Sequence, residues 1–309
     1  MFLLAGLLGV MAAGAAFVGF DVFAGTSEDD LLDEAAPPEE EEGLAPDLFL
    51  DGDDILAGDD ADNIMAGGMG DDQLSGYGGD DLVDGGGDND EVHGGDGDDT
   101  LLGGNGQDTL HGENDQDLLS GGDGDDQMFG HNGMDSMVGG NGDDSMVGSA
   151  GDDLLYGGAG NDALHGGLDN DTLSGGTGQD TLFGGAGHDV LRGDDDNEMD
   201  FLNGGGGNDT MVGGAADIID SGEGADSILI GDWVDNPLTI LNFDAASDQL
   251  GVVFDDSLGI QPQLDLVPDG TSAGLMELRL NGEVVATISG AEGLTVDDIA
   301  LIAKSVSGL

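Results

Sequence analysis

Aspartate returns at a nearly constant nine-residue interval through the middle of the chain. The residues are Asp54, Asp72, Asp81, Asp90, Asp99, Asp108, Asp117, Asp126, Asp135, Asp144, Asp153, Asp162, Asp171, Asp180, Asp189, Asp200, Asp209, Asp217 and Asp226, and Asn63 fills the one gap. Carboxylate oxygens are hard ligands. A flexible cage of carboxylate and backbone carbonyl oxygens suits Ca²⁺ better than Mg²⁺ or Zn²⁺. Aspartate also favours turns, but turn propensity alone does not demand so regular a phase. All of these aspartates are therefore candidate metal ligands. No catalytic constellation accompanies them. The zinc-protease motif H-E-x-x-H is absent, and the five histidines (His93, His111, His131, His165, His188) fall at varying repeat positions. They read as scattered surface residues, because a zinc site needs convergent ligands.

The spacing belongs to a repeat. From 49 to 229 twenty units stand end to end, and repeats of this kind decide the fold before any secondary-structure reading. One unit is Gly94-Gly95-Asp96-Gly97-Asp98-Asp99-Thr100-Leu101-Leu102. Position six carries the aspartate. Position eight is always aliphatic or Met, from Leu56, Met65 and Leu74 through Leu101 to Met211, Ile219 and Ile228. Position one is Gly except at Phe49 and Ser221. Residues 193–203 carry two extra residues and 213–220 lack one. Glycines at positions one, two and four predict a tight turn using φ > 0. Positions seven to nine predict a minimal strand. Two units complete a coil, and the position-eight side chains stack as a core that no single unit could bury alone. Three units place Asp at position four, at Asp88, Asp115 and Asp169. Asp tolerates φ > 0 at some cost, so the pattern is weakest there.

The pattern G-G-x-G-x-D-x-U-x resembles the RTX (repeats-in-toxin), or hemolysin-type, calcium-binding repeat, over about three-fifths of the chain. The resemblance implies an all-β, right-handed parallel β-roll of about ten coils. Ca²⁺ would lie between successive turns, held at the position-six aspartates.

Electrostatics point the same way. On each edge of such a roll, aspartates about 4.8 Å apart repel by ~0.9 kcal/mol per pair even in water. Summed over both edges this is roughly 16 kcal/mol, against a typical net stability of about 5–15 kcal/mol. The metal-free roll should not hold, and cations seated between the turns remove the penalty.

The whole chain is strongly acidic. Asp and Glu number 68 against three basic residues, Arg192, Arg279 and Lys304, for a net charge of −65. That excludes nucleic acid as a direct partner, because phosphate binding needs Lys and Arg. With no cysteine, there is neither a disulfide framework nor a thiolate metal site.

The flanks read differently. Residues 1–20 carry no charged side chain and have the length of one bilayer span. They predict a hydrophobic helix, either an anchor or a leader cut near Val22-Phe-Ala24, with residues 1–24 as that segment and 1–20 the one membrane contact. Residues 25–48, with Pro37-Pro38 and the run Glu39 to Glu42, predict an acidic tether. Residues 230–309 lose the repeat. There Asn281-Gly282, between Met276–Leu280 and Val284–Ile288, predicts a type I′ hairpin. Thr295-Val-Asp-Asp298 opens an expected terminal helix over Ile299–Ala303. This region fits a β-rich cap of the kind a solenoid end requires. By the resemblance it is also the place for a one-step export signal.

The function expected is a Ca²⁺-binding, non-enzymatic, extracellular scaffold, secreted or held at the cell surface, adhesive or matrix-forming. The alternative is an accessory module for a secreted hydrolase or epimerase whose catalytic part lies on another chain. A surface that binds ice would need a regular Thr or Asn array on a flat face, and positions three and five vary too much for one.

Overall fold

The computed structural model describes residues 50–193, 196–231, 236–257, 262–270 and 274–307. The predicted N-terminal helix and acidic tether lie outside the described residues. Among those described, no helix is long and apolar enough to cross a membrane.

Successive strands alternate between two parallel sheets, so each coil contributes one strand to each. The twenty-two strands from Leu50–Asp51 to Leu238–Leu241 make eleven coils. Register is fixed by the repeat. Met128, for example, pairs with Leu110 on one side and Met146 on the other. That alignment stacks position eight upon position eight, and from Leu74 to Ile228 every one of these side chains is buried in a single core. Leu56 and Met65, in the first coils, are partly buried against it.

The strands are longer than the three residues predicted. Thr100–Asn105 and Leu118–Asp123 each run for six residues, from position seven of one unit to position three of the next. Only positions four to six turn. The added residues are mostly glycines, whose low strand propensity conceals them from the sequence, and the ladder of the neighbouring coil recruits them. The pairing still skips position one, as at Gly121 and Gly139.

The two sheets continue beyond residue 229 without the repeat. Gln249–Phe254 and then Ile299–Ala303 extend the first sheet in parallel. Leu238–Leu241 and then Glu283–Ser289 extend the second, which closes with the antiparallel strands Leu275–Leu280 and Leu264–Pro268. The expected hairpin forms, with Asn281 at φ 54° and Gly282 at φ 93°. The expected terminal helix does not form over Ile299–Ala303. Thr295 and Asp298 do build a capping box, in which the Thr295 N–H donates to Asp298 Oδ2 at 2.9 Å, but it opens only a 3₁₀ turn at Val296–Asp298. Ile299–Ala303 is a strand, because the open edge of Gln249–Phe254 satisfies its backbone. A short helix follows at Lys304–Ser307.

Candidate metal sites

The position-six aspartates form two rows, one along each edge where the chain crosses between sheets. The first runs Asp54, Asp72, Asp90, Asp108, Asp126, Asp144, Asp162, Asp180, Asp200, Asp217. The second runs Asn63, Asp81, Asp99, Asp117, Asp135, Asp153, Asp171, Asp189, Asp209, Asp226. Within a row each backbone N–H donates to Oδ1 of the aspartate one coil further on. The Asp108 N–H reaches Asp126 Oδ1 at 2.8 Å, and the Asp126 N–H reaches Asp144 Oδ1 at 2.9 Å. The rows pass through the irregular units intact. Asp180 donates to Asp200 at 2.8 Å, Asp200 to Asp217 at 3.0 Å, and Asp209 to Asp226 at 2.9 Å.

Through most of each row one carboxylate oxygen is thus used by the chain, and the other is not. Oδ2 of Asp72, Asp90, Asp108, Asp126 and Asp144 in the first row is buried without a hydrogen-bond partner, as is Oδ2 of Asp81, Asp99, Asp117, Asp135 and Asp153 in the second. An orphaned buried oxygen is costly, and here it recurs coil after coil. It also has a shaped space beside it. A Cβ added to Gly121 would overlap Asp126 Oδ2 and lie 2.8 Å from the Gly139 carbonyl oxygen. Gly122 (φ 116°) and Gly124 (φ 134°) face the carbonyl oxygens of Gly104 and Gly106 in the coil before. The edge is thus lined by carboxylate and carbonyl oxygens, and glycine at position one leaves room beside Oδ2. This donor set fits a hard divalent cation. At the weak units, Asp88, Asp115 and Asp169 adopt φ of 71°, 73° and 74°, so Asp takes glycine's left-handed backbone there.

Both rows end in a carboxylate whose second oxygen the chain does satisfy. Asp217 Oδ2 accepts the Gly214 N–H at 2.6 Å. The second row is prolonged past the repeats by Asp248, which accepts the Asp226 N–H at 3.1 Å on Oδ1 and the Asp244 N–H at 2.8 Å on Oδ2. Asp248 is not among the ligands expected from the sequence, although Asp248-Gln249-Leu250 preserves positions six to eight of a unit. At the other end, Asn63 Oδ1 accepts the Asp59 N–H at 2.8 Å.

Burial raises many of the carboxyls inside the rows, since removal from water disfavours the charged form. Asp117 and Asp200 are raised to about 8, Asp90, Asp144, Asp153, Asp162 and Asp171 to about 7, and Asp99, Asp126 and Asp209 to about 6. The backbone N–H donated within the row opposes the rise, and neighbouring aspartates add to it. Protonation is therefore a second route by which a metal-free row sheds charge, one that an argument from spacing alone overlooks.

A second ladder, also unforeseen, runs outside the first. Position-five side chains accept the position-five N–H of the following coil. Asp71 takes the Asn89 N–H at 3.0 Å, Asn89 the Gln107 N–H at 2.8 Å, and Asp143 the Asn161 N–H at 2.7 Å. It runs opposite in sense to the inner rows. The frequency of Asp and Asn at position five is its signature in the sequence.

The histidines also depart from expectation. His93, His111 and His131 are gathered on one face, not scattered. Burial, followed by the neighbouring His93 and His131, lowers His111 below the usual histidine range. One catalytic-looking motif, Gly270-Thr-Ser-Ala-Gly274, matches G-x-S-x-G. Its serine, Ser272, lies outside the described residues.

A parallel solenoid whose inter-coil edges are lined by oxygen ligands defines a metal-binding repeat protein. Comparison with known families specifies which. The RTX calcium-binding nonapeptide repeat matches over residues 50–74, 67–101, 75–110, 102–137, 138–173, 165–197 and 199–228, more than half of the chain. The chain belongs to this family, and is a calcium-binding repeat protein. No curated protein matches it. Among solved structures, a hyperactive, Ca²⁺-dependent, β-helical antifreeze protein from an Antarctic bacterium is similar, at 18% identity and a TM-score of 0.35, covering 84% of this chain and 95% of that one.

Proposed function

We propose that this chain is an extracellular scaffold whose folding is driven by many Ca²⁺ ions, with the position-six aspartates as their carboxylate ligands. The carrying observation is the two rows of buried Oδ2 atoms facing glycine-lined oxygen cradles. Bound Ca²⁺ would supply positive charge and coordination to those oxygens. The chain's own contribution is the rest: Oδ1 fixes each carboxylate through the row's N–H donors, the glycines keep the space open, and the position-eight core sets the coil spacing. On this reading the roll serves by its shape and surface, not as an enzyme.

The affinity typical of such sites supports an extracellular place. Oxygen sites of extracellular modules typically bind Ca²⁺ at ~10⁻⁴–10⁻³ M, a concentration found outside cells. Protease added to intact producing cells should therefore leave the Ca²⁺-loaded repeats largely intact, and digest them once a chelator is added, without lysis. Full protection in chelator until the cells are broken would place the repeats inside and defeat the proposal.

A further inference from the structure

The histidine cluster lies on the outer face of the second sheet. His93 and His111 occupy position nine in successive coils of that sheet, next to the inward-facing Val92 and Leu110. Their rings stack at 4.6 Å between centroids and 6° between planes. Phe129, one coil further, stacks on His111 at 4.9 Å. Glu113 joins them from position two, with Oε1 3.5 Å from His93 Nδ1. His131 Nε2 lies 3.0 Å from His111 Nδ1, and Glu91 Oε1 lies 3.4 Å from His93 Nε2. One nitrogen each from His93 and His111 and one carboxylate oxygen from Glu113 fall within 4.8 Å of one another, and all three residues are half-buried.

We propose that His93, His111 and Glu113 form a binding site for a divalent transition-metal ion, with zinc the ion of best fit. Two imidazoles and one carboxylate with an open fourth position is a ligand set zinc accepts. Ca²⁺ prefers oxygen alone. The site is thus chemically distinct from the aspartate rows and would fill independently of them. Tetrahedral ligation at ~2.0–2.1 Å needs donor atoms roughly 3.3–3.4 Å apart, so the rings must tilt from their near-parallel stack toward a common point. Their half-exposed position on an outer face leaves room for that. Glu91, within reach of the second nitrogen of His93, supplies the outer carboxylate that commonly orients a metal-bound imidazole. An ion held there would bridge neighbouring coils of one sheet, binding the folded chain and not the unfolded one.

The variant that tests this is His111→Ser. The repeat already places serine at position nine, at Ser75 and Ser174, so the roll accommodates it. The full chain is first saturated with Ca²⁺ and then titrated with Co²⁺, whose visible absorption reports nitrogen ligation in a low-coordinate site, and Zn²⁺ is added last. We expect one equivalent of Co²⁺ to give visible bands that one equivalent of Zn²⁺ abolishes. His111→Ser should weaken binding at least tenfold, Glu113→Gln should weaken it less, and His165→Ser should leave it unchanged. Circular dichroism in Ca²⁺ checks that each variant is folded; were His111→Ser not folded, His93→Ser carries the same test. Absence of bands in the wild type, zinc uptake without them, or bands unchanged in the folded serine variant would overturn the proposal.

Discussion

Asp126 performs two tasks with its two oxygens, and they can be separated. Oδ1 accepts the Asp108 N–H and holds the coils in register. Oδ2 has no partner in the chain. Asp126→Asn keeps an acceptor for the Asp108 N–H and removes the charge. It should fold in saturating Ca²⁺ but with lower affinity or one fewer ion by isothermal titration. Asp126→Ala loses both functions and should destabilise the loaded roll by a further ~1–3 kcal/mol, the cost of a stranded buried donor. Leu110→Ala, in the core, should cost ~2–5 kcal/mol. That change should raise the Ca²⁺ midpoint while leaving the stoichiometry at saturation as it was. If Asp126→Asn left affinity, stoichiometry and the thermal melt of the loaded protein unchanged, the aspartate would be a turn former only.

At the scale of the turn and the row, the glycine at position one matters as much as the aspartate at six. Gly121→Ala puts a methyl where Asp126 Oδ2 and the Gly139 carbonyl converge. It should reduce bound Ca²⁺ by calorimetry and destabilise by ~1–3 kcal/mol through overpacking, although no proposed ligand has been altered. The rows also predict a pH effect. Among them, the folded-state carboxyls of Asp99, Asp144 and Asp117 are raised to about 6, 7 and 8, above the ~3.9 of an unfolded aspartate. Their contribution to metal-free stability is therefore fully present below about pH 4 and lost as pH rises through 6 to 8. In chelator, β signal by circular dichroism should grow as pH falls from 8 toward 5; a flat or falling signal would contradict this. The same scale shows what the sequence discloses. The core is legible because burial at position eight is a property of one residue at a fixed phase. The aspartate rows are legible for the same reason, down to Asp88, Asp115 and Asp169 standing in for glycine. The six-residue strands were not, since glycine at positions one and two signals turns until a neighbouring coil pairs with it. Nor was the strand Ile299–Ala303, whose partner Gln249–Phe254 lies far back in the chain. The histidine cluster escaped because it joins positions nine and two across coils, a relation that no single unit displays.

For the whole molecule, one sequence property governs the rest. A chain with net charge −65 resists compaction by self-repulsion, and its roll buries rows of carboxylates, among them Asp108, Asp126 and Asp144, whose second oxygens find no hydrogen-bond donor. Core packing alone is then opposed on two counts at neutral pH, and cation binding to the folded state offsets both by mass action. The most direct test is circular dichroism together with small-angle scattering on the full chain at pH 7.5, first in excess chelator and then across a Ca²⁺ titration. The account predicts an expanded chain with little β signal in chelator, and cooperative compaction with a gain of β signal at ~10⁻⁴–10⁻³ M Ca²⁺. A compact, β-rich protein in excess chelator at that pH, unchanged by added Ca²⁺, would contradict it.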